Sequence, residues 1–118
     1  IWDPANCIFS PVAEVPFPEG YERIKDWMLH VHVKDARKGP DGEPECVPVG
    51  EGQVGWLAQL KALRADGYEG YLSLETHWRA KALSKEELER PGGGKFSEGG
   101  EEASHICLNN LCSLLDQI

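Results

Sequence analysis

Residues 28–35 read Met28-Leu29-His30-Val31-His32-Val33-Lys34-Asp35, and residues 70–77 read Gly70-Tyr71-Leu72-Ser73-Leu74-Glu75-Thr76-His77. Both stretches set aliphatic residues at every second position and end in loop-forming sequence, which predicts two strands, Met28–Asp35 and Gly70–Thr76. Successive side chains of a strand point to opposite faces. Leu29, Val31 and Val33 therefore share one face, and Met28, His30, His32 and Lys34 the other. Leu72 and Leu74 likewise oppose Tyr71, Ser73, Glu75 and His77. An open sheet with one wetted side gives this pattern. So does a barrel whose aliphatic groups meet outer helices while a polar interior builds a site at the strand C-termini. His and Glu gathered near those ends favour the barrel.

The flanking sequence completes an alternation. Ile1–Cys7 reads as the tail of a strand running into a loop. Pro11, Pro16, Pro18 and Gly20 make residues 8–20 a connection. Tyr21–Trp27 suits a short helix. Residues 36–53 hold Gly39, Pro40, Gly42, Pro44 and Pro48 and read as a loop, with Asp41-Gly42 as a hairpin turn signal inside it. Val54–Asp66 carries Leu57, Leu60 and Leu63 at helical spacing, with Gly67 as its stop. Ser84-x-x-Glu87 fits a capping box opening a short helix, and Pro91–Gly100 is a glycine-rich loop. Glu101–Ile118 is the last helix, with Ala103, Cys107, Leu111, Leu114 and Ile118 on one stripe. Trp27 and Trp56 are assigned to the core. Strands alternating with helices at this spacing imply an α/β chain with parallel strands and right-handed crossovers. Three such strands leave two open edges, so the expectation is part of a larger α/β sheet or barrel.

With 118 residues the chain makes one domain. Twelve Lys+Arg against 20 Asp+Glu give a formal charge of −8, with no basic cluster. That argues against nucleic acid or an anionic membrane as partner. No apolar run is long enough to span a bilayer. Cys7, Cys46, Cys107 and Cys112 form no C-x-x-C pair and no dense framework, so they are expected to be free thiols in a reducing, cytoplasmic setting. The chain opens Ile1-Trp2-Asp3, and its single Met is Met28, which leads us to expect a processed or partial chain.

Asp3, His32 and Glu75 each fall at or near the C-terminal end of one of three successive strands. One imidazole and two carboxylates converging there suit a divalent ion such as Mn, Co, Mg or Zn. Spacing alone leaves other readings open: Asp3 before Pro4 as a turn former, His32 as a hydrogen-bonded core residue. Lys34 and Asp35 either face a substrate or form a solvated strand end. Glu51 sits in a turn whose glycines supply positive φ, or touches the site. Trp78 and Arg79 leave the last strand where a sugar would stack or bind. Lys95 and Ser97, in the glycine-rich loop, suit a phosphoryl group or lie in a linker.

Four motifs occur in order: Trp2-Asp3-Pro4-Ala5-Asn6, His30-Val31-His32-Val33-Lys34-Asp35, Val49-Gly50-Glu51-Gly52, and Gly67-Tyr68-Glu69-Gly70-Tyr71-Leu72-Ser73-Leu74-Glu75-Thr76. In this the chain resembles the C-terminal part of the sugar phosphate isomerase/epimerase superfamily, the xylose-isomerase-like TIM barrels, from the sixth strand to the eighth helix. The resemblance implies a partial (β/α)8 barrel over residues 1–118, comprising its last three strand–helix units. It implies one divalent metal, commonly manganese, with Asp3, His32 and Glu75 as ligands and a further Glu upstream of Ile1. It implies proton transfer beside a carbonyl of a small ketose, inositol derivative or hydroxy acid, with Glu75 as one acid–base group. Substrate contacts are expected from Asn6, Lys34, Arg37, Trp78 and Lys95.

There are departures. Asn6 stands where epimerases often carry a His, and the surroundings of Arg37 differ from theirs. The apurinic endonuclease branch uses an Asp-x-His pair before Gly-Glu-Gly, where this chain has Pro44-Glu45-Cys46, so a three-zinc nuclease is not expected. The alternative from another class is a non-catalytic half-barrel with a binding or self-association role, completing its open sheet as a homo-oligomer.

Overall fold

The computed structural model describes residues 1–80 and 99–118. The sequence-predicted capping box at Ser84, the loop holding Lys95 and Ser97, and most of the residues around them lie outside that range.

Strand β1 (His30–Val33) is the centre of the parallel sheet. On one side it pairs with β4 (Tyr71–Leu74), in register from His30 opposite Tyr71 to Val33 opposite Leu74. The Glu75 N–H extends that ladder onto the Val33 carbonyl at 2.9 Å. On its other side the N-terminal segment forms a single parallel bridge, Trp2 to Val31. The Trp2 N–H donates to the His30 carbonyl at 2.8 Å, and the His32 N–H to the Trp2 carbonyl at 2.9 Å. The expected parallel order is therefore present, with its first strand reduced to one bridge. Asn6–Phe9 then winds into a helical turn, α1, where a loop was expected.

The aliphatic side of β1 carries the core. Val31 and Val33 are fully buried against Ala5, Tyr21, Trp56, Leu60 and Leu63, with Cys107 and Leu111 closing the cluster. Tyr21 begins α2 (Tyr21–Ile24), which tightens into a 3₁₀ turn over Lys25–Trp27. Helix α3 (Trp56–Ala65) starts after Gly55 and stops at Gly67, whose φ of +71° lets Tyr68 donate back to the Leu63 carbonyl at 2.9 Å. Gln59 on α3 is buried and fully used. It accepts from Trp2 Nε1 at 3.0 Å and donates to the Val54 carbonyl at 2.8 Å, pinning the N-terminal segment to the helix layer. Helix α4 (Gly100–Leu115) buries Ala103, Cys107 and Leu111 of the expected stripe, while Leu114 and Ile118 are partly buried against the core. The four cysteines are unpaired, and no helix among the described residues is long and apolar enough to cross a membrane.

Three sequence readings are corrected. Residues 36–53 are not simply a loop. Asp35–Lys38 (β2) and Pro44–Val47 (β3) pair antiparallel, with Arg37 opposite Glu45 and bound to it at 2.7 Å. Pro44 is tolerated because it is the first residue of its strand. Gly42, at φ +84°, makes the turn that Asp41-Gly42 signalled. Second, Leu29 is 85% exposed although it shares parity with Val31, because it precedes β1 and lies outside the packed core. Third, Trp27 is also 85% exposed, whereas Trp56 is buried as expected. The short helix ends at Trp27, which lies outside the core cluster.

Asp35 is the other surprise. It is neither a solvated strand end nor a substrate group but is 2% exposed. Its Oδ2 accepts from the Gly50 and Gly52 N–H groups at 2.8 and 3.1 Å, and its Oδ1 from Ala36 and Val54 at 2.9 and 3.3 Å. Burial pushes this carboxyl up, against the pull of the four N–H groups. The Val49-Gly50-Glu51-Gly52 motif is thus a loop wrapped around a carboxylate. Gly50 is needed for its φ of +90°. Gly52 is needed for proximity, since a Cβ there would collide with the Asp35 carboxylate and the Ala36 carbonyl oxygen. Gly52→Ala is expected to cost about 1–3 kcal/mol by overpacking. A urea midpoint equal to that of the parent chain would refute this account of the loop.

Candidate metal centre

The sheet explains how three distant residues meet. Asp3 follows the Trp2 bridge, and Pro4 and Ala5 turn the chain at once into α1, with the Asp3 carbonyl accepting from Asn6 at 3.2 Å. Asp3 is thereby held at the C-terminal end of its short strand. His32 stands on the β1 face opposite Val31 and Val33. Glu75 follows β4 and is locked to β1 by its own N–H. One potential ligand atom from each of Asp3, His32 and Glu75 lies within 4.8 Å of the others. His32 Nδ1 is 3.5 Å from Glu75 Oε2. His30, two residues earlier on the same face, meets the His32 ring edge-on at 5.5 Å.

Lys34 is the fourth member. Its ammonium donates to Asp3 Oδ2 at 2.7 Å and to Glu75 Oε2 at 2.8 Å, and its side chain is only 10% exposed. Its backbone is fixed from below, because Trp56 Nε1 donates to the Lys34 carbonyl at 2.9 Å. The Lys34 hydrogen bond pulls the Glu75 carboxyl down to about 2, against burial and with help from the charges of Lys34, His77 and His32. Burial alone would lower the Lys34 ammonium, but its bonds and charge contacts with Asp3 and Glu75 carry it above the ordinary lysine value.

The donors suit a divalent ion of intermediate hardness: two carboxylates and one imidazole, from three adjacent strand ends. One further observation bears on the fit. Asp3 Oδ1 is buried and receives no hydrogen bond among the described residues. A buried carboxylate oxygen without a donor is costly unless something cationic occupies its lone pairs. The residues present therefore fit a metal.

The other sequence-predicted contacts are less gathered. Asn6 is exposed at the start of α1. Arg37 is turned onto Glu45 in the β2–β3 hairpin. Trp78 packs, half-buried, against the hydrophobic core. Arg79 folds back onto the carbonyls of Thr76 and Trp78 at 3.0 and 2.8 Å. Lys95 lies outside the described residues. Two neighbours escaped the sequence reading. His77 Nε2 is 3.6 Å from Glu75 Oε1, and its shared parity with Glu75 was the available signal. Cys46 on β3 feels the charges of Lys34, Asp3, Asp35 and Glu75, after burial has already pushed its thiol up; a residue assigned to a loop gave no such signal.

Parallel strands backed by helices, with His and carboxylates at one end of the sheet, define a mixed α/β protein with its polar cluster at the strand C-termini. The chain belongs to the xylose isomerase-like TIM barrel family, whose sequence model matches residues 1–92 and so takes in Asp3, His32, Lys34 and Glu75. Comparison with curated proteins and with solved structures gives no significant match.

Proposed function

We propose that this chain supplies three ligands, Asp3, His32 and Glu75, to the divalent-metal site of a sugar isomerase or epimerase. The substrate class is a small ketose, an inositol derivative or a hydroxy acid. The observation that carries the reading is the 4.8 Å convergence of the three ligand atoms, beside a buried Asp3 oxygen that lacks a donor. Manganese suits this donor set, with Co, Mg or Zn as alternatives. When bound, such an ion polarises the carbonyl and hydroxyl oxygens of a substrate. Asp3 and His32 hold and orient. Glu75, the more exposed carboxylate, takes or returns the proton on the carbon next to the carbonyl. Among the expected substrate contacts Lys34 is the one that reaches the cluster, where it bonds two of the candidate ligands. The Pro44-Glu45-Cys46 strand and the acidic charge speak against a nuclease.

The rival reading is a half-barrel that binds or self-associates without catalysis, supported by the exposed Leu29 and Tyr71 along the sheet. Titration with Mn2+, followed by the paramagnetic signal of the free ion, separates the two. Saturable binding of one ion per chain is expected, lost on joint Asp3→Asn and Glu75→Gln substitution. No uptake at millimolar metal would end the metal reading. Solvent deuterium entering the carbon beside a ketose carbonyl, read by NMR, tests the proton transfer separately.

A further inference from the structure

We infer that Lys34 is an internal counter-cation that occupies the metal's carboxylates until a divalent ion displaces it, so that metal loading is an exchange of an ammonium for a metal. The inference rests on the proposed function of the same site and adds to it a residue that controls loading.

The geometry carries the argument. Lys34 Nζ sits on Asp3 Oδ2 and Glu75 Oε2, oxygens of two of the three candidate ligands. Two carboxylates this close repel each other, and both are partly withdrawn from water. A cation between them removes that cost, so the cluster is preformed rather than splayed. A divalent ion bound by the same carboxylates would lie a few ångströms from the ammonium. The two cations would then repel each other, while the lysine protons still covered lone pairs that the metal needs. Both effects favour one cation or the other, not both. The exchange is also mechanically simple. The Lys34 backbone is anchored by the Trp56 indole, whereas its four-carbon side chain can swing without disturbing β1. Asp35, the next residue, is fixed by four backbone N–H groups, so the swing stops at the side chain. The buried Asp3 Oδ1 is not used by the lysine, so the ammonium leaves part of the cluster's acceptor capacity unfilled.

Two measurements on the full chain test this. The first compares Mn2+ affinity and metal-free thermal stability of the parent chain and of Lys34→Met. Removing the competitor should tighten Mn2+ binding by about ten- to a hundredfold, the range spanned by a hydrogen bond to a charged group. The metal-free variant should melt lower, and saturating Mn2+ should restore most of the loss. Equal or weaker Mn2+ binding in Lys34→Met would overturn the exchange while leaving the metal site standing. Failure of both proteins to bind Mn2+ would instead overturn the metal reading, and the exchange with it. The second measurement needs no variant, and so holds if Lys34→Met does not fold. Amine acylation read by mass spectrometry should find Lys34 protected in metal-free protein and labelled several-fold faster at saturating Mn2+, with the exposed Lys38 and Lys61 as internal controls. Unchanged Lys34 labelling on saturation would overturn the exchange.

Discussion

Replacing Asp35 by Asn is expected to destabilise the chain by about 2–4 kcal/mol, a large share of the 5–15 kcal/mol typical of a whole domain. The carboxylate accepts four backbone N–H groups, two on each oxygen. Asn is close to isosteric but offers one acceptor oxygen. Its amide NH2 must face either the Gly50 and Gly52 donors or those of Ala36 and Val54. Two buried N–H groups are then set against a donor, at about 1–3 kcal/mol each. Part of this is offset, because burial already penalises the charge of Asp35, and Asn removes that charge. The net loss falls on one junction, where β1 turns into β2 and the 50–54 loop leads into α3. Urea unfolding followed by circular dichroism reads it directly. A midpoint close to that of the parent chain would mean that the four bonds are weak or readily replaced by water. Because Asp35 follows Lys34, the same variant should also loosen the metal cluster, although it touches none of the candidate ligands.

The periodic parts of this fold were legible in the sequence, and the parts built on exceptions were not. Val31 and Val33, Leu60 and Leu63, and Ala103, Cys107 and Leu111 follow simple strand or helix spacing, and all are buried. Asp41-Gly42 signalled the turn of the β2–β3 hairpin, but its strands were missed because Gly39, Pro40, Gly42 and Pro44 have loop composition. Its pairing depends on cross-strand partners such as Arg37 and Glu45, which only a register reveals. Leu29 shows the limit of parity: alternation gives a face but not the point at which the helix layer ends. In the site, the convergence of Asp3, His32 and Glu75 could be anticipated because each lies at a strand end, and adjacent strand ends are neighbours. The bridge made by Lys34 could not. Parity put it on the right face, but the two carboxylates it reaches belong to strands on either side of its own. Asp35 was misread because the extended strand was carried two residues too far, past Val33. Asp35 instead opens β2, and the loop that wraps its carboxylate with backbone N–H groups is not visible in strand alternation.

The second large effect is expected from His32→Ala. His32 lies on the polar face of β1, half-exposed, while the neighbouring Val31 and Val33 face the core, so its ring contributes little to packing. Fold and stability should therefore change little. If the imidazole is a ligand, its loss leaves two carboxylates, both already engaged by Lys34. The nitrogen donor is also the part of the set that favours Mn, Co or Zn over Mg. Disturbing partners outside the ligand shell typically costs 10–100-fold in metal affinity, so removing a ligand itself is expected to cost about a hundredfold or more. The two quantities separate the roles available to His32. A metal ligand loses Mn2+ binding and keeps the unfolding midpoint. A histidine that serves only as a hydrogen-bonding neighbour of Glu75, at 3.5 Å, lowers the midpoint and leaves Mn2+ uptake as it was. Elemental analysis of metal-loaded, desalted protein, together with a melting curve of the same sample, distinguishes them. Unchanged metal content in His32→Ala would remove the imidazole from the site and leave a pair of carboxylates with Lys34 as their partner.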